Sequence, residues 1–358
     1  MQANALDDPE LSKSIQGLII SLGEKLENRY GFRGSAAIKY LEDCCEQLYA
    51  FSNDENYDVE ALVSLLSNIG NVIDENVEIK PCRLAVVAIL KNEARYIREW
   101  IAYHHIVGVE HFYLYDNEST DDLSGTIKDF IDRGWVTYIE YPGNEVQLDA
   151  YNDAIKNYGH LADQMAFIDG DEYIVSTDPE KKLPQILYEI YDDYNNKPAR
   201  LDIKAGGIGI NWKMYGTSGH DAPVDGLLTE NYLYRANDRF PENAHIKTIC
   251  NPRVLMGYTW TSHIPSFKNG YAAITENGSY LANCHVFYDA HYDKLQINHY
   301  YTKSKAEFFE KLRRGWPDQP HVDYDEAYIN RELEKRSACN EVYDPIMKGY
   351  SDRIKELL

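Results

Sequence analysis

Asp169-Gly170-Asp171 carries the clearest chemical signal in the chain. Two carboxylates one residue apart can reach one hard divalent cation, and oxygen ligands favour Mg²⁺, Mn²⁺ or Ca²⁺ over softer metals. Gly170 permits the turn that such a pair needs. An EF-hand loop is excluded, because Tyr173 and Ile174 stand where a further ligand and a glycine are required. Acid-x-acid triplets also arise by chance in acidic chains, so the position of this one decides its meaning. It follows the apolar run of QMAFID, residues 164–169.

Two more polar clusters follow apolar runs in the same way. Lys91-Asn92-Glu93 follows LAVVAIL, and Asp116-Asn117-Glu118 ends HFYLYD. Runs of this length bounded by polar residues predict buried strands over 84–90, 111–116, 135–141 and 164–169. Helical spacing appears between them, at Ile97, Trp100, Ile101 and His104, over 121–133, and at Val146, Ala150, Ala154 and Tyr158. Alternation of this kind predicts an α/β fold with a mostly parallel sheet flanked by helices. Ligands of such sheets bind at the carboxyl ends of the strands, where all three clusters fall. Asp116 can accept from a ribose or a base edge, or serve as a local cap; Asn92 and Glu93 can equally cap the next helix. Beyond residue 201 the strands become mixed, and 304–358 reads as mainly helical.

Residues 1–80 differ in texture. Ile15, Leu18, Ile19, Leu22 and Leu26, then Ala37, Leu41, Cys44 and Leu48, recur at helical spacing, and the segment has net charge −9. It holds no catalytic motif and reads as a helical appendage, a surface for an oligomer or assembly partner. The expected division is 1–80, a catalytic domain over 81–302, and a helical extension over 303–358.

Composition narrows the function classes. The chain has 358 residues, 44% apolar and 26% charged, which is ordinary globular composition. A net charge of −22 repels nucleic acid and anionic lipid. The six cysteines form no C-x-x-C pair, so neither a cysteine zinc site nor a disulfide scaffold is expected. MQANALDDPELSKS has no basic segment followed by an apolar one, and no run approaches the length of a membrane span. The expectation is a cytoplasmic protein, at most peripheral to the inner membrane. P-loop, H-E-x-x-H, dinucleotide and G-x-S-x-G patterns are absent.

KNEARYIREWIAYHHIVGVEHFYLYDNESTDD, FIDGDEYI, NWKMYGTSGH and NHYYTKSKAEFFEKLRRG, in that order, resemble glycosyltransferase family 92 and related family-2-like enzymes of the GT-A fold. The resemblance runs from about Arg83 to Pro317. It implies a GT-A-type sheet, a nucleotide-diphosphate sugar donor (UDP being favoured), Mn²⁺ or Mg²⁺, and transfer with inversion to a glycan or lipid-linked glycan. It places Lys91, Asn92, Glu93 and Asp116 at the nucleoside, with Gln147 and Asn152 lining the donor site. Asp169 and Asp171 become the DxD motif, and His299 a histidine completing the metal or diphosphate site. NWKMYGTSGH and GLLTENYLYR fall on the acceptor side.

A leaving diphosphate also needs local cations. Lys303, Lys305, Lys311, Arg313 and Arg314 form a basic run, with Lys247 and Arg253 as a second source; a solvated helix is the alternative for the run. Inversion needs a general base. Glu230, Asp225 and His220 qualify by position, with Glu230 preferred in the strand-like run LLTENYLY and Asp225 next. Two other functions use the same residues: metal-dependent nucleotidyl transfer, and a non-catalytic member that binds glycan or a partner.

Overall fold

The computed structural model describes residues 82–196, 203–282, 284–315 and 322–358, together with Ala61, Leu62, Ser64 and Leu65. The helical appendage expected over 1–80 otherwise lies outside the described residues. Two compact units emerge: residues 1–82 with 157–163, and residues 83–156 with 164–358. The second holds the sheet, and the C-terminal segment is part of it. Among the described residues, no helix is long and apolar enough to cross a membrane.

The chain runs β1 (Cys82–Leu90), α1 (Ala94–Ile106), β2 (His111–Asp116), β3 (Val136–Glu140), α2 (Gln147–Tyr158), β4 (Ala162–Phe167) and β5 (Glu172–Ser176). Then come α3 (Leu183–Asn195), β6 (Lys204–Met214), β7 (Ile246–Cys250), β8 (Tyr271–Thr275), β9 (Tyr280–Leu281), β10 (Leu295–His299), α4 (Lys305–Arg314) and α5 (Glu326–Lys335). The ten strands form one sheet, in the order β9-β8-β6-β7-β4-β1-β2-β3, with β10 joined to β5 and β6.

β1, β2 and β3 pair in parallel, with Leu90 opposite Asp116 and Asp116 opposite Glu140. β7 runs antiparallel to both β4 and β6. The expected GT-A-type α/β sheet is present, parallel at the β1–β3 edge and mixed beyond it. Near-complete burial of Leu84 to Leu90 explains the unbroken apolar run of β1, since both faces are covered.

Three elements depart from the sequence reading. The helix expected over 121–133 is two short ones, Leu123–Thr126 and Lys128–Asp132, because the Asp122 carboxylate caps Gly125 N–H and Ile127 breaks the turn. The segment EYIVS forms β5, antiparallel to β10. LLTENYLY is not a strand: Leu228–Asn231 is one helical turn. The buried Glu99 carboxylate accepts from Leu228 N–H, Thr229 N–H and the Thr229 hydroxyl at 2.5, 3.0 and 2.6 Å.

α1 does more than cover the sheet. Among the described residues β5 pairs only with β10, so its other edge needs partners. Trp100 Nε1 donates to Glu172 O at 2.7 Å, and Tyr103 hydroxyl to Ile174 O at 3.0 Å. His104 Nε2 accepts from Ile174 N–H at 3.2 Å while its Nδ1 faces Trp100 O. Burial pushes His104 down to about 3, so its ring stays neutral and can accept.

Asn152, expected to line the donor site, serves the fold instead. Its amide accepts from Tyr258 N–H at 2.7 Å and donates to Tyr258 O at 2.9 Å. Gly257, at φ 118°, lets the chain pass so close that a Cβ there would sit 2.6 Å from Asn152 Oδ1. Asn152→Ala should therefore destabilise the protein by about 1–3 kcal/mol through unpaired backbone groups, with unchanged UDP affinity. A denaturant titration paired with UDP calorimetry checks this; lost affinity at full stability would return Asn152 to the donor site.

Candidate functional site: an acidic turn held between lysines

A cavity of about 500 Å³ opens at the carboxyl ends of β1 and β4. Lys91, Glu93, Asn117, Gln147, Asp169, Asp171 and His299 line it on the sheet side. Lys311, Arg314, Tyr324, Tyr328, Glu332 and Arg336 line it from the C-terminal segment, and Trp212, Glu242, His245 and His263 from the mixed half. A Cβ at Gly170 would stand 2.7 Å from Leu90 Cδ2 at the end of β1, so any larger residue there would have to displace the buried Leu90 side chain. The turn is thus pressed against the strand that supplies Lys91 and Glu93.

The sheet register brings the remaining pieces together. His299 pairs with Glu172 across β10 and β5, and with Met214 across β10 and β6. His299 Nε2 comes within 3.3 Å of Asp171 Oδ1. Lys311 Nζ lies 2.5 Å from Asp171 Oδ2, and Lys247 Nζ 2.9 Å from Asp169 Oδ1. Gln147 Nε2 donates to the same Asp169 oxygen at 3.1 Å. Glu93 is gripped likewise, by Lys303 at 2.8 Å and Arg314 at 3.3 Å. Arg314 also donates to the Lys91 carbonyl.

Charge explains the protonation states. Burial alone would raise both aspartates. Lys247 outweighs it at Asp169, and Lys311 with His299 holds Asp171 well below the usual carboxylate range. Burial pushes Glu172 well above that range and lowers His299, so the imidazole is neutral. Burial would lower Lys247, but Asp169 and Glu172 raise it.

The expected residues divide into two groups. Lys91, Glu93, Gln147, Asp169, Asp171 and His299 meet in one cavity. Asn92 does not line it; its side chain accepts from Thr120 N–H at 2.7 Å and ties the ends of β1 and β2 together. Asp116 accepts from Ser119 N–H at 3.0 Å and Tyr138 hydroxyl at 2.5 Å, so Asn117 rather than Asp116 lines the cavity. Lys247 is 1% exposed and acts as the counter-ion beneath Asp169, not as a ligand-facing cation. Of the basic run, Lys303, Lys311 and Arg314 serve the site, whereas exposed Lys305 pairs with Asp221.

The three base candidates lie elsewhere. Glu230, on the turn sealed by Glu99, is ion-paired with Lys355 at 2.6 Å and does not line the cavity. Asp225 is fully exposed beside Arg95, and His220 Nε2 faces Asn231 O at 3.2 Å. The sequence reading missed Glu242 and Arg336, and held Trp212 only as part of NWKMYGTSGH on the acceptor side.

A profile of glycosyltransferase family 92 matches residues 86–336. The chain belongs to glycosyltransferase family 92. It is 30% identical over 95 residues to a family 92 protein of Ricinus communis, covering 26% of this chain and 17% of that one. Against a family 92 protein of Arabidopsis thaliana it is 28% identical over 176 residues, covering 48% and 29%. The chain thus spans less than a third of the length of these curated relatives. Among solved structures it is similar to S. aureus TarS 1-349 in complex with UDP-GlcNAc, at 12% identity, 70% coverage of both chains and a TM-score of 0.36.

Among the described residues, no group of three His, Cys, Asp or Glu side chains forms a ready-made metal cage. The donor set of this family 92 chain is nevertheless suited to a hard cation. Lys247 and Gln147 both address Asp169 Oδ1, and Lys311 addresses Asp171 Oδ2. Each aspartate therefore keeps a second oxygen outside its lysine pair, and that of Asp171 faces His299.

The buried and exposed ion pairs should respond differently to removal of charge. Lys247→Met strands the buried Asp169 carboxylate and should cost about 3–5 kcal/mol in a denaturant titration. Lys305→Met, at an exposed pair, should stay within about 0.5 kcal/mol of wild type. Equal losses in both would show that Lys247 is not the cation holding the turn.

Proposed function

We propose that this protein is an inverting glycosyltransferase that moves a sugar from a nucleotide-diphosphate donor, with UDP as nucleotide, to a hydroxyl of a glycan or lipid-linked glycan. The observation that carries this reading is the Asp169-Gly170-Asp171 turn at the sheet's ligand edge, in one cavity with the cations of α4. In this reading the nucleoside lies toward Lys91, Asn117 and Gln147. The diphosphate lies over the acidic turn, within reach of Lys311 and Arg314.

Asp169, Asp171 and His299 would hold Mn²⁺ or Mg²⁺. The cation would neutralise charge on the departing diphosphate as a Lewis acid. The chain's own residues contribute beside it. Gln147 and Lys247 fix the Asp169 carboxylate, so it need not reorganise when the donor arrives. Lys311 sits where it can pass from Asp171 to a phosphate oxygen once that carboxylate has another partner. Trp212 walls the sugar end, with its ring 4.4 Å from His299 and 4.9 Å from His245.

Asp171→Asn keeps volume and removes charge. UDP calorimetry with and without Mn²⁺ should show that wild type gains affinity from the metal and Asp171→Asn gains none. Turnover of UDP-sugars should be lost in the variant, with the circular dichroism spectrum unchanged. Full activity in Asp171→Asn, or in excess EDTA, removes the metal from this reading. Release of pyrophosphate in place of UDP makes the enzyme a nucleotidyl transferase.

A further inference from the structure

Inverting transfer also needs a group that takes the acceptor's proton. Five carboxylates line the cavity, namely Glu93, Asp169, Asp171, Glu242 and Glu332. Four are committed. Glu93, Asp169 and Asp171 are each ion-paired to a lysine, and Glu332 is paired to Lys335 at 2.5 Å and Arg336 at 3.0 Å. Glu242 is different. Among the described residues its carboxylate meets only the Arg336 guanidinium, at 3.6 Å, and 35% of its side chain stays exposed to the cavity. Its lone pairs are available to a hydroxyl.

The backbone carrying Glu242 is unusually constrained. It stands on the 3-10 turn Pro241–Ala244. Asn211 Nδ2 donates to Asn243 O and Ala244 O, both at 3.1 Å, and Asn243 Oδ1 accepts from Met214 N–H at 2.9 Å. Asn211 and Asn243 are both buried, so these bonds are shielded from water and tie the turn to β6. The Glu242 carbonyl faces His245 Nδ1 at 3.0 Å, and the His245 ring stacks on Trp212. Trp212, whose ring contacts both His245 and His299, links the turn that carries Glu242 to the His299–Asp171 pair. A base in an inverting displacement must lie across the sugar from the leaving diphosphate, which requires the sugar to sit between Glu242 and the Asp171 carboxylate.

Arg336 sets the direction of the side chain. Its guanidinium is 11% exposed and lies 4.8 Å from the Tyr301 ring and 5.5 Å from the Phe308 ring. Its Nη1 donates to both Glu332 O and Glu332 Oε2. A cation fixed by two aromatic faces and two acceptors can orient a neighbouring carboxylate.

We propose that Glu242 is the general base of transfer and Arg336 its positioning residue, an assignment that rests on the glycosyl-transfer reading. The Glu242 carboxylate takes the acceptor O–H proton. The freed electron pair of that oxygen forms the new bond to the anomeric carbon. The bond to the diphosphate oxygen breaks on the opposite face, and its electron pair leaves with the nucleoside diphosphate. With water in the acceptor's place, the same step releases sugar and UDP.

That hydrolysis makes the assignment testable without knowing the acceptor. UDP release from UDP-glucose, UDP-galactose and UDP-GlcNAc is measured beside UDP affinity by calorimetry and the melting temperature. Glu242→Gln should lose about 10²–10⁴-fold in kcat, with UDP affinity and melting temperature unchanged. Glu230→Gln, outside the cavity, should match wild type. Arg336→Met should lower kcat, and Arg336→Lys should restore most of it. A loss below about tenfold in Glu242→Gln, or a large loss in Glu230→Gln, overturns the assignment while leaving glycosyl transfer standing. Equal losses in Arg336→Met and Arg336→Lys without a fall in melting temperature overturn the positioning role. Failure of the wild type to bind UDP overturns the donor reading and this assignment with it.

Discussion

Two carboxylates pressed against the end of a fully buried strand would repel each other and resist desolvation. The interaction on which the rest of the structure depends is their compensation by Lys247 from beneath and Lys311 from above. Lys247 comes from β7, which must therefore run between β4 and β6. Lys311 comes from α4, which must therefore cap the cavity. His299 arrives through a third route, the register of β10 on β5. Each route crosses the fold, so the acidic turn acts as the common fastening of three otherwise separate elements.

This arrangement changes how the C-terminal segment is understood. It is not an extension placed after a finished catalytic domain. Lys303 and Arg314 neutralise Glu93 at the far end of the chain's first described strand, and Arg336 reaches Glu242 from beyond α5. A recurring pattern emerges within the chain, of buried charge answered by charge from a distant element. Fully satisfied networks of this kind specify one arrangement, since a partly made one leaves a buried charge unpaired.

The sheet's parallel edge and the strand ends at which the cavity opens were legible because their signals are local. Apolar runs of strand length, followed at once by polar residues, leave few alternatives. The failures are equally physical. LLTENYLY is too short for periodicity to separate strand from helix, and Glu99, far away in sequence, settles it as a helical turn. Gln147 and Asn152 lie on one helix, yet residues five apart on a helix point about 140° away from each other. Gln147 and Tyr151, four apart, do share a face and bond to each other. Lys247 carries a readable clue, a lysine inside the apolar run IKTIC, which marks a buried charge in need of a partner. Nothing local marks Glu242, whose role depends on Trp212 and Arg336 arriving from elsewhere.

The bond between Lys303 and Glu93 joins residues 210 positions apart, and that between Lys311 and Asp171 spans 140. On the ribosome, the acidic turn and Glu93 emerge long before the cations that neutralise them. At synthesis rates of about 5–20 residues per second, a nascent chain that has just completed β5 waits several seconds or more for α4. During that interval its carboxylates cannot be buried without penalty, so the ligand edge of the sheet must remain open to water. The cavity is therefore among the last features of the molecule to close, and a chain cut short before α4 would keep a hydrated, unfinished edge.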